Sequence, residues 1–241
     1  MSNSKLVDYT KISPNKTSPR NHKIDTITIH CVVGQCSVET LGNVFAPTSR
    51  RASSNYGIGY DGRIGMYVEE KDRSWCSSSA SNDNRAITIE VASDTKHPYK
   101  VRDAAYKALI DLCTDICKRN GIKELKWKAD KSLIGKVEQQ NMTVHRWFAN
   151  KACPGDYLYN LHGQIAAEVN ARLGVVSDTT PDTNAALEYA VGDVVTFKGT
   201  KHYASSNGTN GKTCKPGEAR VTSVAKNGKH QYHLIKLSLI H

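Results

Sequence analysis

The sequence predicts an α/β chain, with a central mixed sheet flanked by helices and then a small all-β unit. Three observations carry this. Two short runs alternate polar and apolar residues with period two, Thr26-Ile-Thr-Ile-His30-Cys31 and Arg85-Ala-Ile-Thr-Ile-Glu90-Val91, as half-buried strands do. Two longer segments repeat apolar residues at helical spacing. From Tyr189 onward only short strand-like runs occur, separated by glycine turns.

Taken in chain order, residues 1–25 contain Ser13-Pro14 and Ser18-Pro19 and read as an extended arm with little structure of its own. The first strand puts Thr26, Thr28 and His30 on one face and Ile27, Ile29 and Cys31 on the other. It ends at a loop around Gly34-Gln35. Residues 55–60 and 63–68 flank Asp61-Gly62 and read as a hairpin, because Asp-Gly accepts the positive φ values of a tight primed turn. The strand ending at Glu90 repeats the first, with Ile87, Ile89 and Val91 opposite Thr88 and Glu90. If both strands share a sheet, an imidazole and a carboxylate project from the same side.

A helix is expected from about Arg102 to Arg119, with Ala105, Ala108, Leu109, Leu112, Cys113, Ile116 and Cys117 on its apolar face and Asn120-Gly121 as its stop. The polar stretch from Lys123 to Gln140 reads as a loop over the functional site. A last helix carries Leu158, Leu161, Ile165, Val169 and Leu173 on one face before Gly174. Residues 175–188 read as a linker, being short of large apolar residues and containing Pro181. Domain 1–174 is thus followed by a unit spanning 189–241, with strands at Val191–Phe197, Ala219–Val224 and Gln231–Leu237 and turns at Asn207-Gly208, Asn210-Gly211 and Asn227-Gly228.

The 241 residues suffice for one ordinary core and a small appendage. No run of about 18 apolar residues exists, so no membrane span is expected. The N-terminus lacks the apolar core of a secretory signal, which points to synthesis and folding in the cytoplasm. Seven cysteines, an odd number, argue against a full disulfide framework there. Cys31, Cys113 and Cys117 read as packing residues, while Cys36, Cys76 and Cys214 are uncommitted.

The chemistry-bearing stretch is His145-Arg-Trp-Phe-Ala-Asn-Lys151-Ala-Cys153-Pro-Gly, which sets an imidazole and a thiol close together. A catalytic zinc site usually takes three protein ligands and leaves a fourth position open. His30, on the polar face at a strand end, is the best third candidate.

These residues resemble the zinc-dependent N-acetylmuramoyl-L-alanine amidases of the phage-lysozyme and peptidoglycan-recognition type, over roughly Thr26 to Leu173. The pieces occur in the family's order: the strand ending in His30, Ser54-Asn-Tyr56-Gly-Ile-Gly-Tyr-Asp-Gly-Arg-Ile64, the strand ending in Glu90, and His145 followed by Lys151-Ala-Cys153-Pro-Gly. The resemblance implies Zn2+ held by His30, His145 and Cys153. It implies a general base at Glu90 and catalytic assistance from Tyr56 and Lys151. The expected reaction is hydrolysis of the peptidoglycan amide between N-acetylmuramic acid and L-alanine. It further implies a phage or prophage endolysin, or an autolysin, acting on the wall after holin-type release. Two alternatives stand beside it: a non-catalytic peptidoglycan-binding module, which would commonly lack the metal cysteine, and a wall hydrolase with Cys31 or Cys153 as nucleophile.

The C-terminal unit resembles a bacterial SH3-like wall-binding barrel. Such barrels normally finish with another strand, so it is expected to be truncated or incompletely folded. It holds eight Lys/Arg against two Asp/Glu, more than half of the chain's net charge of +10. A basic surface suits polyanions such as wall teichoic acid. Nucleic acid is the lesser expectation, with only Tyr189, Phe197, Tyr203 and Tyr232 available for stacking and no recognised nucleic-acid motif.

Overall fold

The computed structural model describes residues 2–175, 189, 193–203, 209–224 and 232–236. The chain divides into two compact units, Met1–Val176 and Ser177–His241.

In the first unit, β1 (Tyr9–Thr10), β2 (Lys16–Thr17), β3 (Thr26–Cys31), α1 (Val38–Phe45), β4 (Tyr56–Ile58), β5 (Ile64–Met66) and β6 (Arg73–Ser74) are followed by α2 (Ala80–Arg85) and β7 (Ala86–Val91). Then come α3 (Asp103–Asn120), β8 (Met142–Thr143) and α4 (Gly155–Leu173). Six strands form one sheet in the order β1-β5-β4-β7-β3-β8. All neighbours are parallel except β4 and β5, so the sheet is mixed.

The apolar faces predicted for β3 and β7 are covered by the two long helices. Ile27, Ile29, Ile87 and Ile89 join Leu109, Leu112, Ile116, Leu158, Ile165 and Val169 in a single core. Cys113 and Cys117 lie in this core as packing residues. Both helices end on glycines with left-handed φ, +68° at Gly121 and +74° at Gly174, the geometry glycine adopts without a Cβ penalty.

The opposite face of β3 is not solvated, as a half-buried strand would require; all six residues are buried. Its threonines are instead sealed into a hydrogen-bonded layer. Thr28 Oγ1 and Thr143 Oγ1 are 2.7 Å apart, and Asn82 of α2 donates to Thr28 while accepting from Thr143. On β7, Thr88 Oγ1 lies 2.7 Å from Ser74 Oγ and accepts from the Asn55 backbone N–H. Buried hydroxyls are tolerated there because each finds a partner.

Two expectations are corrected. The N-terminal arm has structure: β1 pairs with β5 and β2 with β6. Arg20 is only 5 % exposed and donates to the backbone carbonyls of Glu70, Asp72, Asn84 and Ala86 at 2.6 to 3.1 Å, which fastens the arm to the domain. In the hairpin turn, positive φ falls on Gly62 alone, at +88°. The Gly62 N–H bonds to Gly59 O and the Gly59 N–H to Arg63 O, a three-residue loop closed by a left-handed glycine rather than a primed two-residue turn. A Cβ at Gly62 would also lie 2.8 Å from Ala104 O. The segment 123–140 carries a 3-10 turn at Lys131–Leu133. Its anchors run to α4, where Asn170 pairs with the Leu125 backbone, and to Trp147, on which Trp127 stacks at 5.1 Å. Helix α1 was not anticipated; Ser37 caps it, accepting from the Thr40 N–H.

In the second unit, β9 (Val194–Phe197), β12 (Gly217–Val224) and β13 (Tyr232–Lys236) form an antiparallel sheet, with β12 central. A separate pair joins β10 (Lys201–His202) to β11 (Lys212–Thr213). Ala219 and Val221 of β12 are the unit's buried apolar residues among those described. The linker apart from Val175, the turns at Asn207-Gly208 and Asn227-Gly228, and the chain end at residues 237–241 lie outside the described residues.

Candidate metal centre

The polar layer opens at the C-terminal ends of β3 and β7. His30 and Glu90 are direct register partners across the parallel pair, so both side chains project from the same face, as the period-two reading requires. The next strand, β8, runs parallel to β3 and delivers the chain to a 3-10 turn at His145–Trp147. Cys153 follows, just before α4. The Arg146 N–H donates to Cys153 O, and its guanidinium holds both Asp156 Oδ1 and Ala152 O. Gly155 at φ +78° has room only for hydrogen, since a Cβ would meet Tyr99 at 2.9 Å. These ties bring two residues of one loop back onto β3.

The result is a compact donor set. Cys153 Sγ lies 3.4 Å from His30 Nδ1, and the imidazoles of His30 and His145 are 5.1 Å apart edge to face. One ligand atom from each of the three falls within 4.8 Å of the others. Burial, then the neighbouring His145 and His162, hold His30 down to about 3. His145 is lowered by burial and by the nearby Lys151 ammonium. Both rings are therefore neutral at physiological pH, the form that binds a cation. The Cys153 thiol is pushed well up by its Cys31 neighbour, burial and the Glu90 carboxylate. A dication among these groups would reverse that shift, and two imidazoles with one thiolate form a fitting set for zinc. His30 Nε2 is buried without a hydrogen-bond partner.

Glu90 stands beside the set. Burial, then Cys31, push its carboxyl up to about 8. Lys151 is exposed on the rim, within electrostatic reach of His145.

Tyr56 is not brought here, which corrects its expected placement. It pairs with Ile89, whereas its neighbour Gly57 pairs with Glu90; its ring therefore enters the core under α3 and α4. The phenol donates to Glu70 Oε1 at 2.7 Å and accepts from the Ser4 N–H at 2.9 Å. Arg119 and Asn120 hold the same carboxylate at 2.6 and 3.0 Å. Burial and Glu70 raise the phenol far above its usual range. Tyr56→Phe is expected to cost about 1–2 kcal/mol of stability by leaving a buried carboxylate one donor short. Turnover should stay within about threefold of the parent; a hundredfold loss, the scale of a missing acid/base group, would restore Tyr56 to the site.

Two neighbours had no sequence signal. Ser78 Oγ is 3.0 Å from His145 Nε2, and Cys76 Sγ is 3.9 Å from Glu90 Oε1. Both lie in the run Cys76-Ser-Ser-Ser79, which has neither periodicity nor ligand spacing.

At the C-terminal ends of β3 and β7, two histidines, a cysteine and a half-buried carboxylate come together, the donor types of a metallohydrolase-type centre. The N-acetylmuramoyl-L-alanine amidase family model matches residues 20–156. The chain belongs to this family and is an N-acetylmuramoyl-L-alanine amidase, a peptidoglycan hydrolase. Among solved structures, it is similar to a selenomethionine AmpD derivative, at 18% identity over 68% of this chain and 96% of that one, with a TM-score of 0.50. The endolysin amidase LysCS from Clostridium intestinale URNW gives 18% identity over 70% and 93%, with a TM-score of 0.45. A mutant endolysin from Bacillus subtilis gives 15% over 68% and 99%, with a TM-score of 0.46. No curated protein matches the sequence. Among the described residues no helix is long and apolar enough to cross a membrane.

Proposed function

We propose that this amidase cuts the bond between the lactyl group of N-acetylmuramic acid and L-alanine with zinc held by His30, His145 and Cys153. The observation that carries this reading is the grouping of three ligand atoms within 4.8 Å beside a half-buried carboxylate on the adjacent strand. When bound, zinc supplies a Lewis acid that polarises a carbonyl and lowers the pKa of water. Glu90 takes a proton from the attacking water and passes it to the departing L-alanine amine. Burial raises this carboxyl in the metal-free protein, the direction that makes a carboxylate a stronger proton acceptor. Lys151 places positive charge on the exposed rim, where it stabilises the developing oxyanion.

Mass spectrometry of digested peptidoglycan tests the bond. Free lactyl ends on the glycan and new L-alanine amino termini are expected; cuts at glycosidic or other peptide bonds would overturn the assignment. In this reading the protein works as an endolysin released to the wall through holin-type pores, and its basic C-terminal unit holds anionic wall polymers such as teichoic acid. A chain lacking 189–241 should lose pelleting with whole walls yet hydrolyse soluble muropeptide at the parent rate. Undiminished pelleting would remove the targeting role.

A further inference from the structure

Cys76 is the one hydrogen-bond partner of the Glu90 side chain among the described residues. Its Sγ donates to Oε1 at 3.9 Å, while Oε2 is buried with no partner. The loop that presents the thiol is itself fixed. Asp83, 2 % exposed, accepts from the Cys76 N–H at 2.9 Å, from the Ser77 N–H at 3.1 Å and from Ser77 Oγ at 2.5 Å. One residue on, Ser78 sits at φ +62°, a conformation that costs a non-glycine residue energy, with its hydroxyl on His145. One clamped loop thus touches both the carboxylate and an imidazole.

We propose that Cys76 is a positioning residue for the amidase reaction, holding Glu90 by one oxygen so that the other is free for the proton of the attacking water. This rests on the reading of Glu90 as the general base. A carboxylate on a three-torsion side chain with no partner would sample several orientations, and catalysis depends on a narrow one. The thiol suits the task because burial keeps it protonated, so that it donates without adding charge. A competing role exists, since His30, Cys76 and Glu90 also offer ligand atoms within 4.8 Å of one another.

The test compares Cys76→Ala and Cys76→Ser in the full-length zinc enzyme, alone and in a Glu90→Gln background. Cys76→Ala should lower kcat by about tenfold or more with KM unchanged, the usual scale for a lost supporting partner. Cys76→Ser, which keeps a donor, should recover kcat to within about threefold of the parent. In the Glu90→Gln background Cys76→Ala should have no further effect. Zinc content should stay at one equivalent, and the thiolate-to-metal charge-transfer band of the cobalt-substituted protein should keep its intensity. Unchanged kcat in Cys76→Ala, no recovery in Cys76→Ser, or a further loss without Glu90 would each overturn the proposal. A weakened cobalt band or lost zinc would make Cys76 a ligand and overturn it equally. If Glu90→Gln alone retains full turnover, the general-base reading itself has failed, a result distinguishable from all of these.

Discussion

Cys153→Ser is expected to remove metal and hydrolysis together. Zinc should fall from one equivalent to below about a tenth, because a serine hydroxyl does not ionise at neutral pH and is a far weaker ligand than thiolate. The two imidazoles that remain, one buried and one half-buried, are short of the three protein ligands a catalytic site takes. Lewis-acid stabilisation of the transition state amounts to several kcal/mol, so the loss of turnover should be at least about a thousandfold. Loss of activity alone does not separate a ligand from a nucleophile, since a thiol hydrolase would die in the same variant. Chelation separates them. The parent protein should stop lysing walls on chelation and recover with added zinc, whereas a cysteine nucleophile would ignore chelator and yield to alkylation. A protein with less than about half an equivalent of zinc that lyses walls at full rate would sink the mechanism.

Glu90→Gln should keep zinc and lose at least about a hundredfold in turnover, because the amide has the shape of the carboxyl but cannot carry the proton. The same substitution should stabilise the metal-free protein. Glu90 is raised from 4.5 to about 8 chiefly by burial, so the native state binds its proton more tightly than the unfolded chain does. The contribution is present in full below about 4.5 and is lost as pH rises towards about 8. Without metal, the melting midpoint of Glu90→Gln should therefore pull ahead of the parent's across that window. A desolvated carboxylate kept at a cost in stability is the pattern of a working group. Full turnover in the variant would move the acid/base role to Lys151, since Tyr56 lies on the other face of the sheet.

That last point shows where sequence reading stops. Period-two alternation assigns faces within a strand, and it correctly set His30 with Thr28 and Glu90 with Thr88. Across strands, faces depend on register, and a shift of one residue turns every side chain over. Tyr56 pairs with Ile89 and Gly57 with Glu90; nothing in Asn55-Tyr-Gly-Ile-Gly says which. His145 and Cys153 were legible because one loop carries both. Cys76 and Ser78 were not, because a loop without periodicity gives no direction to its side chains. The arm misread as loose is held by Arg20 through backbone carbonyls, which no composition encodes.

By itself the sequence determined the α/β class, the two long helices, the strands bearing His30 and Glu90, and the pairing of His145 with Cys153 in one loop, since each rests on local periodicity or short spacing; that His30 joins them was implied by the family resemblance. Tertiary structure alone decided which face Tyr56 takes, how the polar face of β3 is sealed, and which thiol meets Glu90. Those depend on register and on contacts between residues far apart in the chain, and local pattern does not carry that information.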